Sequence, residues 1–313
     1  MNRISIPSGK IHKQFGPIPA CLFIAVIGFA VYANAIHGEF VYDDIDAIRD
    51  NPALENPLDL ASLNRSLSAD RGLKEYFFRP LVILTFAVDR FFWKSDVRGY
   101  HVTSILWHVL AALALYGLSA QLYRDRAVSF LTALFFVIHP VHTEAVAYIS
   151  GRADPLFLFF LFLCFIHYVR IHEDLGPPAV QTVLIGIFYG AALLCKEHAL
   201  IFLALAGIYH LIFHEKLKFW PTAILLTITG FYLYSRLADY KLLAVVHPYR
   251  SDLATRLPGI FASLAQYGRL LVWPQGLHME YGMTFFRWSD AVAITGFSLF
   301  LVLLTVLCVR WRQ

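Results

Sequence analysis

Charge is scarce in this chain. Only 15% of its 313 residues are Asp, Glu, Lys or Arg, against about 25% in a typical soluble domain. That shortfall, beside 58% hydrophobic residues, excludes an ordinary water-solvated fold. Cysteine is scarce as well: there are 4, Cys21, Cys164, Cys195 and Cys308. All lie in or at the ends of apolar runs, and no Cys-x-x-Cys pair occurs, so a disulfide framework or thiolate zinc site is not indicated. The net charge of +4 is modest, and its basic residues are scattered rather than gathered into the patch that nucleic-acid binding requires. No internal repeat or low-complexity tract is present.

What the chain does have is long apolar runs. A membrane span needs about 20 apolar residues, about 17 at the short end. Candidates are Pro17–Ile36, His101–Tyr123, Ala127–Ile138, Pro155–Ile171, Ala179–Cys195, Ala199–Phe213, Phe219–Ser235 and Ala291–Val309. The run from Ala179 to Phe213 is interrupted by Lys196-Glu197-His198, which reads as the tip of a tight hairpin. The expected fold is therefore an all-α polytopic membrane protein, a single domain over 1–313 with about 8 transmembrane helices.

Basic residues near span ends set orientation. With the N-terminus cytoplasmic, that side collects Arg3, Lys10, Lys13, Arg124, Arg126, Arg170, Lys216, Lys218, Arg310 and Arg312. Both termini are then expected to be cytoplasmic. The other face receives a first external loop at about 37–100, the His139–Asp154 block, the Lys196-Glu197 tip and a second large external segment at about 236–290. Leu81–Trp93 is apolar but too short to cross and is interrupted by Asp89-Arg90; an external amphipathic helix lying along the membrane surface suits it better. Ala33-Asn34-Ala35 imitates a signal-peptidase site. The run before it is long for a signal peptide, so a retained anchor is expected.

The most concentrated chemistry lies in His139-Pro-Val-His142-Thr-Glu144-Ala-Val-Ala-Tyr-Ile-Ser-Gly-Arg152-Ala-Asp154, set between two apolar runs. Ionisable groups at bilayer depth cost several kcal/mol unless paired or hydrated, so this density points to a polar cavity at one membrane face. The histidine spacing is not His-Glu-x-x-His, and Pro140 stops the preceding helix before both imidazoles share a face. A zinc protease is thus disfavoured, and no metal ligands are assigned. His139 could equally cap a helix before the proline, and Glu144 and Arg152 could simply pair with each other. Asp43-Asp44, soon after the first span, suits a general base or metal ligand, or the N-cap of a short helix. Arg79, Arg152, Lys196 and Arg269 lie on the same face, where guanidinium and ammonium groups suit phosphate oxygens.

Several motifs follow one another in order: Phe40-Val-Tyr-Asp43-Asp44, Tyr76-Phe-Phe-Arg79-Pro80-Leu81, Tyr100-His101 with Leu106 and His108, His139-Pro-Val-His142-Thr-Glu144 with Gly151-Arg152-Ala-Asp154, Cys195-Lys196-Glu197, and Trp273-Pro274 with Glu280-Tyr281. This series resembles the transmembrane O-mannosyltransferases of the TMTC type and, more broadly, the GT-C glycosyltransferases. The resemblance implies a GT-C-like helical bundle that moves a hexose, such as mannose, from a polyprenyl-phosphate donor to a protein or glycan acceptor at the periplasmic or lumenal face. It assigns the catalytic role to Asp43 or Asp44, donor-phosphate binding to Arg79, Arg152 and Lys196, and cavity lining to His139, His142, Glu144, Asp154 and Glu197. Inverting displacement is implied. No cofactor is obligatory, although the carboxylates are compatible with a divalent ion. Tetratricopeptide repeats follow the membrane domain in that family but do not occur in these 313 residues, so a repeat-containing partner or a minimal relative with another acceptor is expected. A transporter or lipid-binding scaffold with a charged cavity is the alternative. Paired repeats, which transporters often show, are not evident, and the charges gather on one face.

Overall fold

The computed structural model describes residues 16–55, 79–240, 253–278 and 285–312, and among them every regular element is a helix. The principal helices are α1 (Pro17–Val31), α2 (Pro80–Trp93), α3 (Val97–Tyr123), α4 (Arg126–Ile138), α5 (Thr143–Ala147), α6 (Ala153–His172), α7 (Pro178–Cys195), α8 (Ile201–Phe213), α9 (Phe219–Tyr240), α10 (Leu253–Val272) and α11 (Ala291–Arg312). Short 3-10 turns at Ala33–His37, Pro52–Leu54, Pro140–His142, Ile149–Arg152 and Glu197–Leu200, and a wide π turn at Ile45–Arg49, link them.

Local chemistry sets the boundaries. Proline opens α1, α2 and α7, where its missing N–H costs nothing. Asp96 caps α3 by accepting from the Arg98 N–H at 3.1 Å. Asp125 caps α4 by accepting from Ala127 and Val128 at 2.8 and 3.0 Å. Pro140 ends α4, and the chain bends by 47° into the following helical segment.

Packing follows a four-residue stripe. Ala20, Ile24 and Gly28 are the buried residues of α1; Ser129, Ala133 and Val137 are those of α4. Gly28 lets these two helices close on α3, since a Cβ there would lie 2.7 Å from Val109 and 2.8 Å from Val137. Such close approach through small residues is the usual way helices associate in lipid, where apolar burial gives little drive. A second core, which includes Leu156, Ile185, Leu193 and Phe202, joins α6, α7 and α8.

Four helical segments are long and apolar enough to cross a membrane: Val97–Tyr123, Ile149–His172, Pro178–Cys195 and Ala291–Val309. The bent pair Arg126–Ile138 and Pro140–Ala147 would make a fifth. The expected count of about eight is therefore not reached among the described residues. α1 and the Glu197–Phe213 segment are apolar but short, because a 3-10 turn replaces helix at the end of the first run and at the start of the other. The bundle has two distinct ends. At one, Arg124 on the α3–α4 turn bonds Glu173 at 2.8 Å, and Lys218 before α9 bonds Asp174 at 2.6 Å and the Ile171 carbonyl. The alternating helices carry the His139–Asp154 block and the Lys196–Glu197 tip to the other end.

Candidate functional site: a charged cluster at one end of the bundle

The acidic loop enters first. Tyr42, immediately before Asp43, has φ +49°, a left-handed conformation uncommon for non-glycine residues and typical of strained functional segments. The two neighbouring carboxylates then diverge. Asp43 is exposed. Asp44 is wholly buried: its Oδ1 accepts from the Ser150 N–H at 2.8 Å and the Ser150 hydroxyl at 2.5 Å, and its Oδ2 accepts from the Val41 N–H at 3.3 Å. Although Asp44 stands at the N-cap of the π turn, its side chain makes no cap bond there. It staples the first loop to the His139–Asp154 block instead. Burial raises the Asp44 pKa above the ordinary carboxylate value, and the bonds from Ser150 and Val41 oppose that rise.

Arg152 has 0% side-chain exposure. Its Nη1 lies 2.6 Å from Asp89 Oδ2, its Nε donates to Ser104 Oγ at 3.1 Å, and its Nη2 donates to the Tyr100 carbonyl at 2.8 Å. The guanidinium also lies 4.7 Å over the Phe86 ring, a cation–π contact. The Glu144–Arg152 pairing that the sequence left open is thus replaced by Asp89–Arg152. Asp89 was not assigned a role from sequence, although its charge inside the apolar run Leu81–Trp93 is a legible signal of a buried partner.

Of the remaining predicted residues, His139 is buried and the others are partly or fully exposed. Lys196 Nζ lies 2.5 Å from Asp154 Oδ1, with side-chain exposures of 15% and 39%. Arg79 Nη2 lies 3.8 Å from Glu197 Oε1, with 21% and 37%. Glu144 is exposed and interacts electrostatically with both Asp154 and Lys196. His139 is the residue on which α4 ends. Its Nδ1 accepts from the Val141 N–H at 3.2 Å while its Nε2 meets the Leu271 carbonyl, also at 3.2 Å, fixing the tautomer and tying the end of α10 to this face. His142 packs against Phe136 and His108, with ring centroids 4.5 and 5.3 Å apart. Arg269 donates to the Gln275 carbonyl at 3.1 Å. Among the described residues, no three His, Cys, Asp or Glu side chains converge as a metal-ligand set. Glu280 and Tyr281 lie outside the described residues, as do Tyr76, Phe77 and Phe78.

The acids and bases scattered along the sequence are therefore brought to one end of a helical bundle, and the class that fold and composition define is an integral membrane protein with a charged site at one face. Its relatives carry a more specific label. The chain is 31% identical over 221 residues to the human protein O-mannosyl-transferase TMTC1, an alignment covering 66% of this chain and 25% of that protein. It is 31% identical over 227 residues to the mouse protein O-mannosyl-transferase TMTC4, covering 64% of this chain and 30% of the relative. Across 90% of its length it is 27% identical to the Drosophila melanogaster protein O-mannosyl-transferase Tmtc1, matching 36% of that protein. No family model and no solved structure matches. The chain is thus a relative of the TMTC-type transmembrane O-mannosyltransferases, as the motifs indicated, and it spans about a quarter to a third of the length of the relatives it matches.

Proposed function

We propose that this chain is a membrane glycosyltransferase that moves a hexose, mannose by analogy with the names of its relatives, from a polyprenyl-phosphate donor to a protein or glycan acceptor on the non-cytoplasmic face. The single observation that supports this most is the convergence of an exposed carboxylate, Asp43, with partly exposed cations at the same bundle end. The role of base falls to Asp43, which is exposed, while buried Asp44 holds the loop. The acceptor hydroxyl gives its proton to Asp43 as its oxygen bonds the anomeric carbon. The bond from that carbon to the phosphate oxygen breaks on the opposite side and the electron pair leaves with the lipid phosphate, so configuration inverts.

Lys196 and Arg79 supply positive charge where the phosphate gains it, the form of stabilisation that counts most in a water-poor site. Each is held by a carboxylate, Asp154 and Glu197, so donor phosphate would compete for cations already oriented. Arg152, enclosed and bonded to Asp89, acts as a scaffold for Tyr100 and Ser104 rather than as a phosphate ligand. His139, His142 and Glu144 would flank the bound donor. Purified protein given polyprenyl-phosphate hexoses should transfer or release sugar. Asp43→Asn should abolish turnover with folding intact, and Lys196→Met should weaken donor use. Full turnover by Asp43→Asn would refute this reading and leave a transporter or scaffold.

A further inference from the structure

The loop that bears Asp43 is gripped at a second place, from α2. The wide turn Ile45–Arg49 follows Asp44 and is closed by the Asp50 N–H on the Ile45 carbonyl at 2.8 Å. A turn this short leaves its last carbonyls without helical partners. Asn51 takes the Ala47 carbonyl through its side chain at 3.0 Å. The next two are taken by Arg90 of α2, 42 and 41 residues further on: its Nη2 donates to the Ile48 carbonyl at 2.8 Å and to the Arg49 carbonyl at 2.5 Å. Both bonds reach backbone at the C-terminal end of a helical turn, where positive charge is favoured. The other end of the turn is held by Asp44 on Ser150. Asp43 thus sits beside a turn clamped at both ends. Tyr42 keeps its left-handed φ of +49° next to it, a conformation that persists only where the surroundings over-determine it.

The place of Arg90 in α2 gives this clamp its meaning. Consecutive residues on a helix point about 100° apart. Asp89 points inward to Arg152, while Arg90 reaches the acidic loop. At its start α2 is entered from Arg79, one of the cations proposed above for the donor phosphate. One helix therefore carries a donor-side cation, the buried tie to the segment before α6 and the grip on the acidic loop. We infer that Arg90 is a positioning residue: it locks the turn behind Asp43 to α2, so that the exposed carboxylate keeps a fixed place relative to the cations at this end of the bundle. Arg90 touches no reacting atom and acts through the backbone of Ile48 and Arg49. The catalytic consequence rests on the proposed transferase reading, whereas the clamp itself rests on the two bonds.

Two measurements on the full chain in detergent micelles test this. Hydrogen–deuterium exchange reads the clamp with no sugar present. Arg90→Gln should speed exchange of the amides of residues 43–50 by about tenfold or more, as loss of a bond from a charged donor allows. Protection in α3 and α6 should stay as in the wild type. Arg90→Lys keeps a cation and its donors, so it should retain more protection than Arg90→Gln, and it carries the comparison if the latter does not fold. Unchanged exchange in residues 43–50, or equal loosening throughout the bundle, would overturn the inference. Steady-state kinetics with a polyprenyl-phosphate mannose, expressed per folded molecule, read the consequence. Arg90→Gln should lower kcat about 10–100-fold, the cost of misplacing a catalytic group by about 1 Å, with donor KM within about twofold because Arg79 and Lys196 are untouched. Arg90→Lys should fall between it and the wild type. Wild-type kcat in a variant whose loop has loosened would overturn the positioning role. A chain that turns over no donor yet shows the local loosening would refute the transferase reading and leave the clamp standing.

Discussion

Removing one partner of the Asp89–Arg152 pair should be far more damaging than removing both. Arg152 is fully buried, and Asp89 is 4% exposed at the side chain, so each charge has left water almost entirely. Arg152→Met keeps most of the volume but strands the Asp89 carboxylate, whose remaining bond is the Thr103 hydroxyl at 2.8 Å. It also frees the Tyr100 carbonyl and Ser104. Breaking a buried pair from one side costs about 3–5 kcal/mol, and the lost contact with Phe86 adds about 1–2 kcal/mol. Asp89→Leu strands the guanidinium and should cost a similar amount. In the double variant neither charge is orphaned, so it should be less destabilised than the two singles summed, by about 2–3 kcal/mol. Equilibrium unfolding of the four proteins in mixed micelles measures this directly. Additive costs, or singles costing under about 1 kcal/mol, would refute the view that this pair is buried and mutually dependent.

Other consequences follow from the same geometry. Ser150→Ala removes the hydroxyl bond to Asp44 but keeps the backbone one; a loss of about 1–2 kcal/mol is expected, with proteolysis of the first loop accelerated. Gly28→Val should separate α1 from α3 and α4, since even a Cβ there lies 2.7 Å from Val109, and overpacking of this kind costs about 1–3 kcal/mol. Lower thermal stability with the site residues unchanged would report it. Asp154→Asn frees Lys196 from its carboxylate, so donor affinity should rise or hold while turnover falls if the pair orients the ammonium; an unchanged KM and kcat would exclude that role.

Much of this protein was legible before any coordinates. Low charge and long apolar runs require a lipid-solvated helical chain, because only structures that satisfy their own backbone survive in hydrocarbon. Pro80, Asp96, Asp125, Pro140 and Pro178 mark helix ends through strictly local chemistry. The helix break at Lys196-Glu197 was readable because a charged tripeptide interrupts an apolar run that is otherwise too long. The acids and bases of the site were likewise visible as ionisable residues in an apolar sequence. The span count was not, since a 3-10 turn consumes the end of the first run, and mean composition does not report where helix gives way to turn.

Partnership lay beyond the sequence altogether. Asp43 and Asp44 are adjacent and chemically identical, yet one faces outward and the other is sealed against Ser150; alternation of facing depends on how the loop is pinned from residues about a hundred positions away. The sequence offers Arg152 as a free cation, and only the packed structure sets Asp89 against it at 2.6 Å. Local rules fix where helices start and which residues carry charge, because those follow from neighbours in the chain. Which charge meets which, and which is left open to a ligand, is decided only when α2, α3 and α6 pack together, since desolvation and Coulomb energy act through space.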